Sequence, residues 1–295
     1  MVATVTEKRR ITPRKQAERS ERPKTREELM LSSLSPIMMI MVKAVRKAGR
    51  RMLRDFGEVS SLQVSRKGPG DFVTNADMMA EKTLIEQLSM DKPDFGFITE
   101  ESERVEPKNG CKYYWVIDPI DGTTNFLHAV PCFSISVSVM EGDEVIAGVS
   151  FNPVTNELYY AEKGRGSFLM TPTGNVRLRV SGRNDLSCSL IGSNGYNSTK
   201  NRQVIEKVIT KVASVRYNGS TTMALASVAA GQYDAYIATR FKLWDIATGY
   251  LLIKEAGGFI SNFKGERELM KIVDSQELIT CNMPLKETFL DLINS

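Results

Sequence analysis

Trp115-Val116-Ile117-Asp118-Pro119-Ile120-Asp121-Gly122-Thr123-Thr124-Asn125-Phe126 begins as an apolar strand and ends in two carboxylates, a glycine and two hydroxyls. Val116 and Ile117 supply the strand. Pro119, which has no N–H to give to a ladder, is expected to stop it. Asp118 and Asp121 then emerge at the carboxyl end, where open α/β sheets bind their ligands. Gly122 permits a tight turn, and Thr123, Thr124 and Asn125 are helix-starting residues whose first backbone N–H groups suit an anion. Hard oxygen donors beside an anion cradle imply Mg²⁺-assisted phosphate chemistry.

The rest of the chain sets limits on that reading. With 295 residues, 42% hydrophobic and 25% charged, it is long enough for one large core or two lobes. The net charge of +4 has a local source, because residues 1–29 hold nine Lys/Arg against five Glu and leave thirty of each sign elsewhere. A neutral body does not imply a broad nucleic-acid-binding face. Cys111, Cys132, Cys188 and Cys281 are scattered and share one histidine, His128, so a zinc site is not indicated. Scattered thiols read as reduced, which points to a cytoplasmic location. The longest apolar run, residues 37–42, is far short of the roughly 20 residues that span a bilayer, so no membrane partner is expected.

Residues 1–33 are polar, contain Pro13 and Pro23, and read as a disordered basic tail. Helical spacing begins with Ile37, Met41, Ala44, Val45, Ala48 and Met52, and a second helix with Asp77 in its first turn is expected from about residue 75 to residue 88. A short strand over residues 95–98 runs into Thr99-Glu100-Glu101-Ser102. Residues 133–140, 144–151 and 157–161 read as an antiparallel meander, with Gly164-Arg165-Gly166 as a hairpin turn. Further strands are expected at residues 190–193 and 233–238, and further helices at 201–212, 219–230 and from Trp244-Asp245 to Glu255, the last ended by Gly257-Gly258. Strands and helices mix in both halves, which is the signature of an α/β (α+β) protein. Carboxylates thus recur at element ends: Asp77, Glu100-Glu101, Asp118, Asp121 and Asp245.

Asp118-Pro119-Ile120-Asp121-Gly122-Thr123-Thr124-Asn125-Phe126, together with Trp244-Asp245-Ile246-Ala247-Thr248-Gly249 and Glu255-Ala256-Gly257-Gly258, resembles the paired signatures of the inositol monophosphatase family over about residues 35 to 290. Thr124-Asn125-Phe126 is similar to its inositol monophosphatase and SuhB-like branch. The resemblance implies a layered αβαβα sandwich of the inositol monophosphatase and fructose-1,6-bisphosphatase type. Residues 34–180 would form an amino-terminal lobe carrying most metal ligands, and residues 181–295 a second lobe carrying Asp245 and the substrate loop. It also implies an Mg²⁺-dependent phosphomonoesterase, with inositol 1-phosphate or another small polyol phosphate attacked by water that the metal activates. Fructose-1,6-bisphosphatase and dinucleotide phosphatase activities are the enzymatic alternatives, and a SuhB-like role beside RNA or the transcription machinery the non-enzymatic one.

The implied residue roles are specific. Glu101, Asp118, Asp121, Asp245 and the carbonyl of Ile120 would hold Mg²⁺. Thr123 would orient the attacking water with Asp77 bonded to its hydroxyl, so Thr123, Asp77, Glu101 and Asp121 would be the catalytic set. The N–H groups of Gly122 and Thr123 would take phosphate, while Gly219, Ser220, Thr221 and Asp245 would meet the substrate alcohol. Lys67, or Arg66 if the loop length differs, would approach the attacking water. The chain departs from the family pattern at Ala238, where relatives usually place a substrate-binding glutamate. A homodimer and sensitivity to lithium are likewise expected from the resemblance.

Overall fold

The computed structural model describes residues 30–56, 64–68, 71–195 and 198–295, with the side chains of 64–68 and 71–74 outside the description. Residues 1–29, most of the expected tail, also lie outside it. Helix α1 (Pro36–Asp55) starts where the Ser35 side chain accepts the Met38 N–H and proline occupies the first turn. Its stripe of Met38, Met41, Val42, Val45, Ala48 and Met52 is buried. Strands β1 (Val64–Gly68) and β2 (Asp71–Thr74) form an antiparallel pair that leads into α2 (Asn75–Asp91).

Helices α1 and α2 cover one face of a seven-stranded sheet built in the order β3 (Gly96–Thr99), β4 (Tyr113–Asp121), β5 (Ser134–Glu141), β6 (Glu144–Asn152), β7 (Glu157–Glu162), β8 (Gly166–Thr171) and β9 (Gly174–Arg177). Strand β3 runs parallel to β4, and every later pair is antiparallel, which extends the expected meander by β4 at one end and by β8 and β9 at the other. Period-two alternation divides each strand between two cores. Trp115, Ile117, Val137 and Val139 join the core under α1 and α2, whereas Val116, Tyr159 and Ala161 face the opposite way.

The opposite face meets α5 (Thr221–Ala229) and α6 (Leu243–Glu255). These helices are buried almost all round because a second sheet closes over them. Gly249 is required at their contact, since a Cβ there would sit 2.3 Å from Leu225 Cδ1. Ser136 and Ser138 on β5 are satisfied by Thr248 Oγ1 of α6, at 2.8 and 2.7 Å. The second sheet has the order β11 (Ser214–Arg216), β10 (Leu190–Ser193), β12 (Ala235–Thr239), β14 (Glu277–Cys281), β13 (Phe259–Ser261). Its far face, with Ile191, Ile237, Phe259 and Ile279, is covered by α4 (Thr199–Ile209) and α8 (Lys286–Asn294). Short α7 (Leu269–Ser275) adds Leu269 and Ile272 to the middle core. Helices, sheet, helices, sheet, helices is the expected layered αβαβα sandwich.

Pro119 does not end its strand. β4 continues to Asp121, and the pairing with β5 shifts register between Asp118 and Asp121, so the missing proline N–H falls in an irregularity that costs no ladder bond. Among the described residues no helix is long and apolar enough to cross a membrane, and all four cysteines are free thiols.

Candidate functional site

The register shift at the end of β4 aims two buried carboxylates into one place. Asp118 is 2% exposed and its Oδ1 has no hydrogen-bond partner. Burial first, then the neighbouring charges of Glu100, Asp121 and Asp245, push its pKa well above the usual carboxylate range. Asp121 Oδ1 accepts the Thr221 N–H at 3.1 Å, and its Oδ2 accepts the Thr222 N–H at 2.7 Å and the Ser220 hydroxyl. Burial raises its pKa, and the bonds from Ser220 and Thr222 pull it back. Ser220 Oγ also accepts the Met223 N–H, so the residue that grips Asp121 is the N-cap of α5.

Asp245 lies in the first turn of α6 with its Oδ2 accepting the Lys242 N–H at 2.6 Å. Burial pushes its pKa up to about 7, with the Asp121 charge adding and the Lys242 bond opposing. Thr123 opens the five-residue helix α3 (Thr123–Leu127), whose N-cap Gly122 has φ of 101°. A Cβ at Gly122 would lie 3.2 Å from the carbonyls of Cys132 and Gly219. The single hydroxyl proton of Thr123 faces two acceptors, the Ile120 carbonyl at 3.1 Å and Asp77 Oδ1 at 3.4 Å. Asp77 is fully buried in the first turn of α2.

Glu100 and Glu101 are placed differently. The carboxyl group hydrogen-bonded to Asp118 is that of Glu100. Glu101 instead lines an outer pocket with Met78, Glu81, Lys82, Ile85 and Glu86, and its backbone N–H is held by Glu81 Oε2 at 2.9 Å. With the Glu101 N–H fixed toward α2, the preceding side chain is the one directed at β4. Arg66 and Lys67 fall on β1, and their side chains lie outside the described residues.

Asn125, which the sequence offers only as a helix-starting residue, joins two parts of the site through its side chain. Its Nδ2 donates to the carbonyls of Cys132 at 2.6 Å and Asn218 at 2.7 Å. Gly219, with φ of 79°, packs against that amide, and a Cβ there would be 2.7 Å from Asn125 Nδ2. Beside it opens a cavity of about 230 Å³ whose lining includes Asp121, Asn194, Tyr217, Thr221 and Tyr236. Tyr236 Oη is 3.2 Å from Thr221 Oγ1 at the buried end. Ala238, two residues further along β12, is fully buried in the middle core and brings no polar atom to this space.

Glu100, Asp118, Asp121 and Asp245 are thus four carboxylates on one region of the fold, and the unpartnered Asp118 oxygen marks the deficit of positive charge. Hard oxygen donors of this kind fit a divalent cation of the Mg²⁺ type. Among the described residues no three acidic, histidine or cysteine side chains already stand as a closed ligand cluster. Asp121 and Asp245 are turned onto backbone N–H groups instead.

The profile of the inositol monophosphatase family matches residues 33–294. An inositol-1-monophosphatase of Mesorhizobium japonicum is 40% identical over 264 residues, covering 88% of this chain and 96% of that protein. A Nus factor SuhB of Xylella fastidiosa is 34% identical over 235 residues, covering 78% and 83%. The crystal structure of extragenic suppressor protein suhB from Bartonella henselae superposes with a TM-score of 0.83 at 36% identity, covering 88% of this chain and 99% of that one.

Proposed function

The chain belongs to the inositol monophosphatase family and is a phosphatase, and from that premise we propose that it hydrolyses a small polyol phosphate, inositol 1-phosphate first among the candidates, with Mg²⁺ as the metal. The observation that carries the reading is the meeting of Glu100, Asp118 and Asp121 with Asp245, one of whose neighbours leaves a buried oxygen unpartnered. We divide the chain near residue 180, because every strand of the seven-stranded sheet precedes that point and every strand of the five-stranded sheet follows it.

Asp118, Asp121, Asp245, the Ile120 carbonyl and Glu100, in place of Glu101, are the proposed metal ligands. Bound there, the cation supplies positive charge for the phosphoryl oxygens and acidity for a water molecule. The chain supplies the rest. Gly122 and Thr123 offer backbone N–H groups to the phosphoryl group. Asp77 draws the Thr123 proton, leaving the Thr123 oxygen to accept a proton from the attacking water. The water oxygen bonds to phosphorus as the ester P–O bond breaks, and the departing alcohol takes its proton from solvent in the cavity. The clamp of Asp121 on Ser220 and Thr221 and the small backbone at Gly219 form the wall facing that alcohol.

The test is a panel of inositol, glycerol, fructose and nucleotide phosphates, ranked by kcat/KM with Mg²⁺. A preference for fructose 1,6-bisphosphate or a dinucleotide-derived phosphate would replace the proposed substrate with one of the two enzymatic alternatives. No phosphate release from any member would remove the reading. Ala238 is the reason for testing several alcohols, since it offers no carboxylate to a ring hydroxyl. A homodimer is part of the proposal and is checked by sedimentation at micromolar concentration. Lithium inhibition of the Mg²⁺-dependent activity is checked in the same assay.

The relatives named Nus factor SuhB support a second role beside RNA or the transcription machinery. The feature to test is residues 1–29, with nine Lys/Arg and five Glu. Salt-sensitive RNA binding lost on deleting residues 1–33 is the expected sign of that role, and no binding at low salt would dismiss it.

A further inference from the structure

We infer that Glu81 is a positioning residue of the active site: it fixes the acidic loop after β3 so that Glu100 is delivered to Asp118. The inference rests on the proposed metal role of Glu100. Glu81 is 2% exposed, and both its oxygens are spent on that loop. Oε2 accepts the Glu101 N–H at 2.9 Å, and Oε1 accepts the Ser102 hydroxyl. A third bond, from Thr99 Oγ1 to the Ser102 carbonyl at 3.3 Å, closes the loop on itself.

Glu81 stands four residues after Asp77, so the two lie one turn apart on the same face of α2. Asp77 reaches Thr123 at the start of α3, and Glu81 reaches the loop beyond β3. One helix face therefore presents two buried carboxylates, each to a different segment of the site. A carboxylate is taken from water only where its acceptors are used, and the groups that use Glu81 are donors of the two residues that directly follow Glu100. The pair Glu100-Glu101 is chemically ambiguous in sequence, and this bond breaks the tie. The Glu101 N–H is drawn to α2 and its side chain goes to the outer pocket, leaving Glu100 to face β4.

Mn²⁺, which takes the same oxygen donors as Mg²⁺, is titrated against the full-length chain and its free-ion electron paramagnetic resonance signal is read, without substrate. Glu81→Ala is expected to weaken binding by about 10- to 100-fold, the usual consequence of losing a group that orients a ligand. Glu81→Gln is expected to stay within about threefold, because its amide oxygen still accepts the Glu101 N–H and its NH₂ can donate to Ser102 Oγ. Wild-type binding by Glu81→Ala alongside weakened binding by Glu100→Gln would overturn the positioning role and leave the metal reading standing. Wild-type binding by Glu100→Gln would overturn the metal reading and this inference with it. Should circular dichroism show Glu81→Ala unfolded, Ser102→Ala decides: a loss of about threefold or more, the worth of one hydrogen bond, supports the inference, and unchanged binding overturns it.

Discussion

Asp121 accepts the Thr222 N–H at 2.7 Å, a bond between residues 101 positions apart that ties the end of β4 to the first turn of α5. The same carboxylate that is proposed to hold the metal therefore also docks α5. Asp121→Asn keeps the shape but turns an NH₂ against the N–H of Thr221 or Thr222. It is expected to abolish measurable phosphatase activity and to lower unfolding free energy by about 1–3 kcal/mol, the cost of a buried donor left unpaired. Steady-state kinetics and urea denaturation check the two effects. Full activity in this variant would dismiss Asp121 as a metal ligand.

Gly219 and Asn125 form a second tie across the site. Gly219→Ala puts a Cβ where the Asn125 amide stands and forces an L residue to φ of 79°. A cost of about 1–3 kcal/mol is expected from the backbone strain alone. Because the displaced amide also holds the Asn218 carbonyl, KM should rise more than kcat falls. Asn125→Ala, which removes the bond without strain, should reproduce the KM change with less loss of stability. Equal kinetics for wild type and Asn125→Ala would show that the tie does not shape the alcohol pocket.

Asp234 provides the contrast of a buried carboxylate outside the proposed ligand set. It accepts the Ser181 hydroxyl, Arg183 Nη1 at 3.0 Å and the Leu190 N–H at 2.9 Å, fastening the start of β10 to β12. Asp234→Ala leaves the Leu190 N–H without its acceptor and should cost about 2–3 kcal/mol. The Arg183 partner is half in water and adds little. Thermal unfolding should shift while kcat/KM of the folded fraction stays at the wild-type value. A tenfold fall in kcat/KM would place Asp234 in the functional network.

How far these relationships were legible in sequence depends on the distance over which they are decided. The strand of β4 and its two aspartates are written in consecutive residues, and β5 in a clear period of two, with Ser134, Ser136 and Ser138 alternating with apolar residues. Pro119 misled because the rule that proline ends a strand assumes a regular ladder, and here the shift to Asp121 removes the need for its N–H. Glu100 and Glu101 could not be told apart locally, since the choice is made by Glu81 from another element. Strands β11 and β13 have three residues each, too few to show alternation, so the second sheet was only partly readable. The ties made by Asn125 required knowing that residues 125 and 218 meet.

The acidic cluster makes stability depend jointly on pH and metal. In the metal-free protein Asp245 is pushed up to about 7 from an ordinary 3.8, by burial first, and Asp118 is raised as well. A folded pKa above the unfolded value means that the contribution is fully present below about pH 4 and is lost as pH rises through about 7. Mg²⁺ requires the ionised carboxylates, so its affinity should grow across the same window with release of protons. At 100 times its Kd it would stabilise the fold by about 2.7 kcal/mol, a rise of roughly 4–5 °C in Tm for a chain of 295 residues. Thermal unfolding with excess Mg²⁺ and with chelator, at pH 6 and pH 8, checks this, with the larger Mg²⁺-induced shift expected at pH 8. The same shift at both values would mean that protons do not compete with the metal, and the carboxylates brought together by β4 and α6 would not be its ligands.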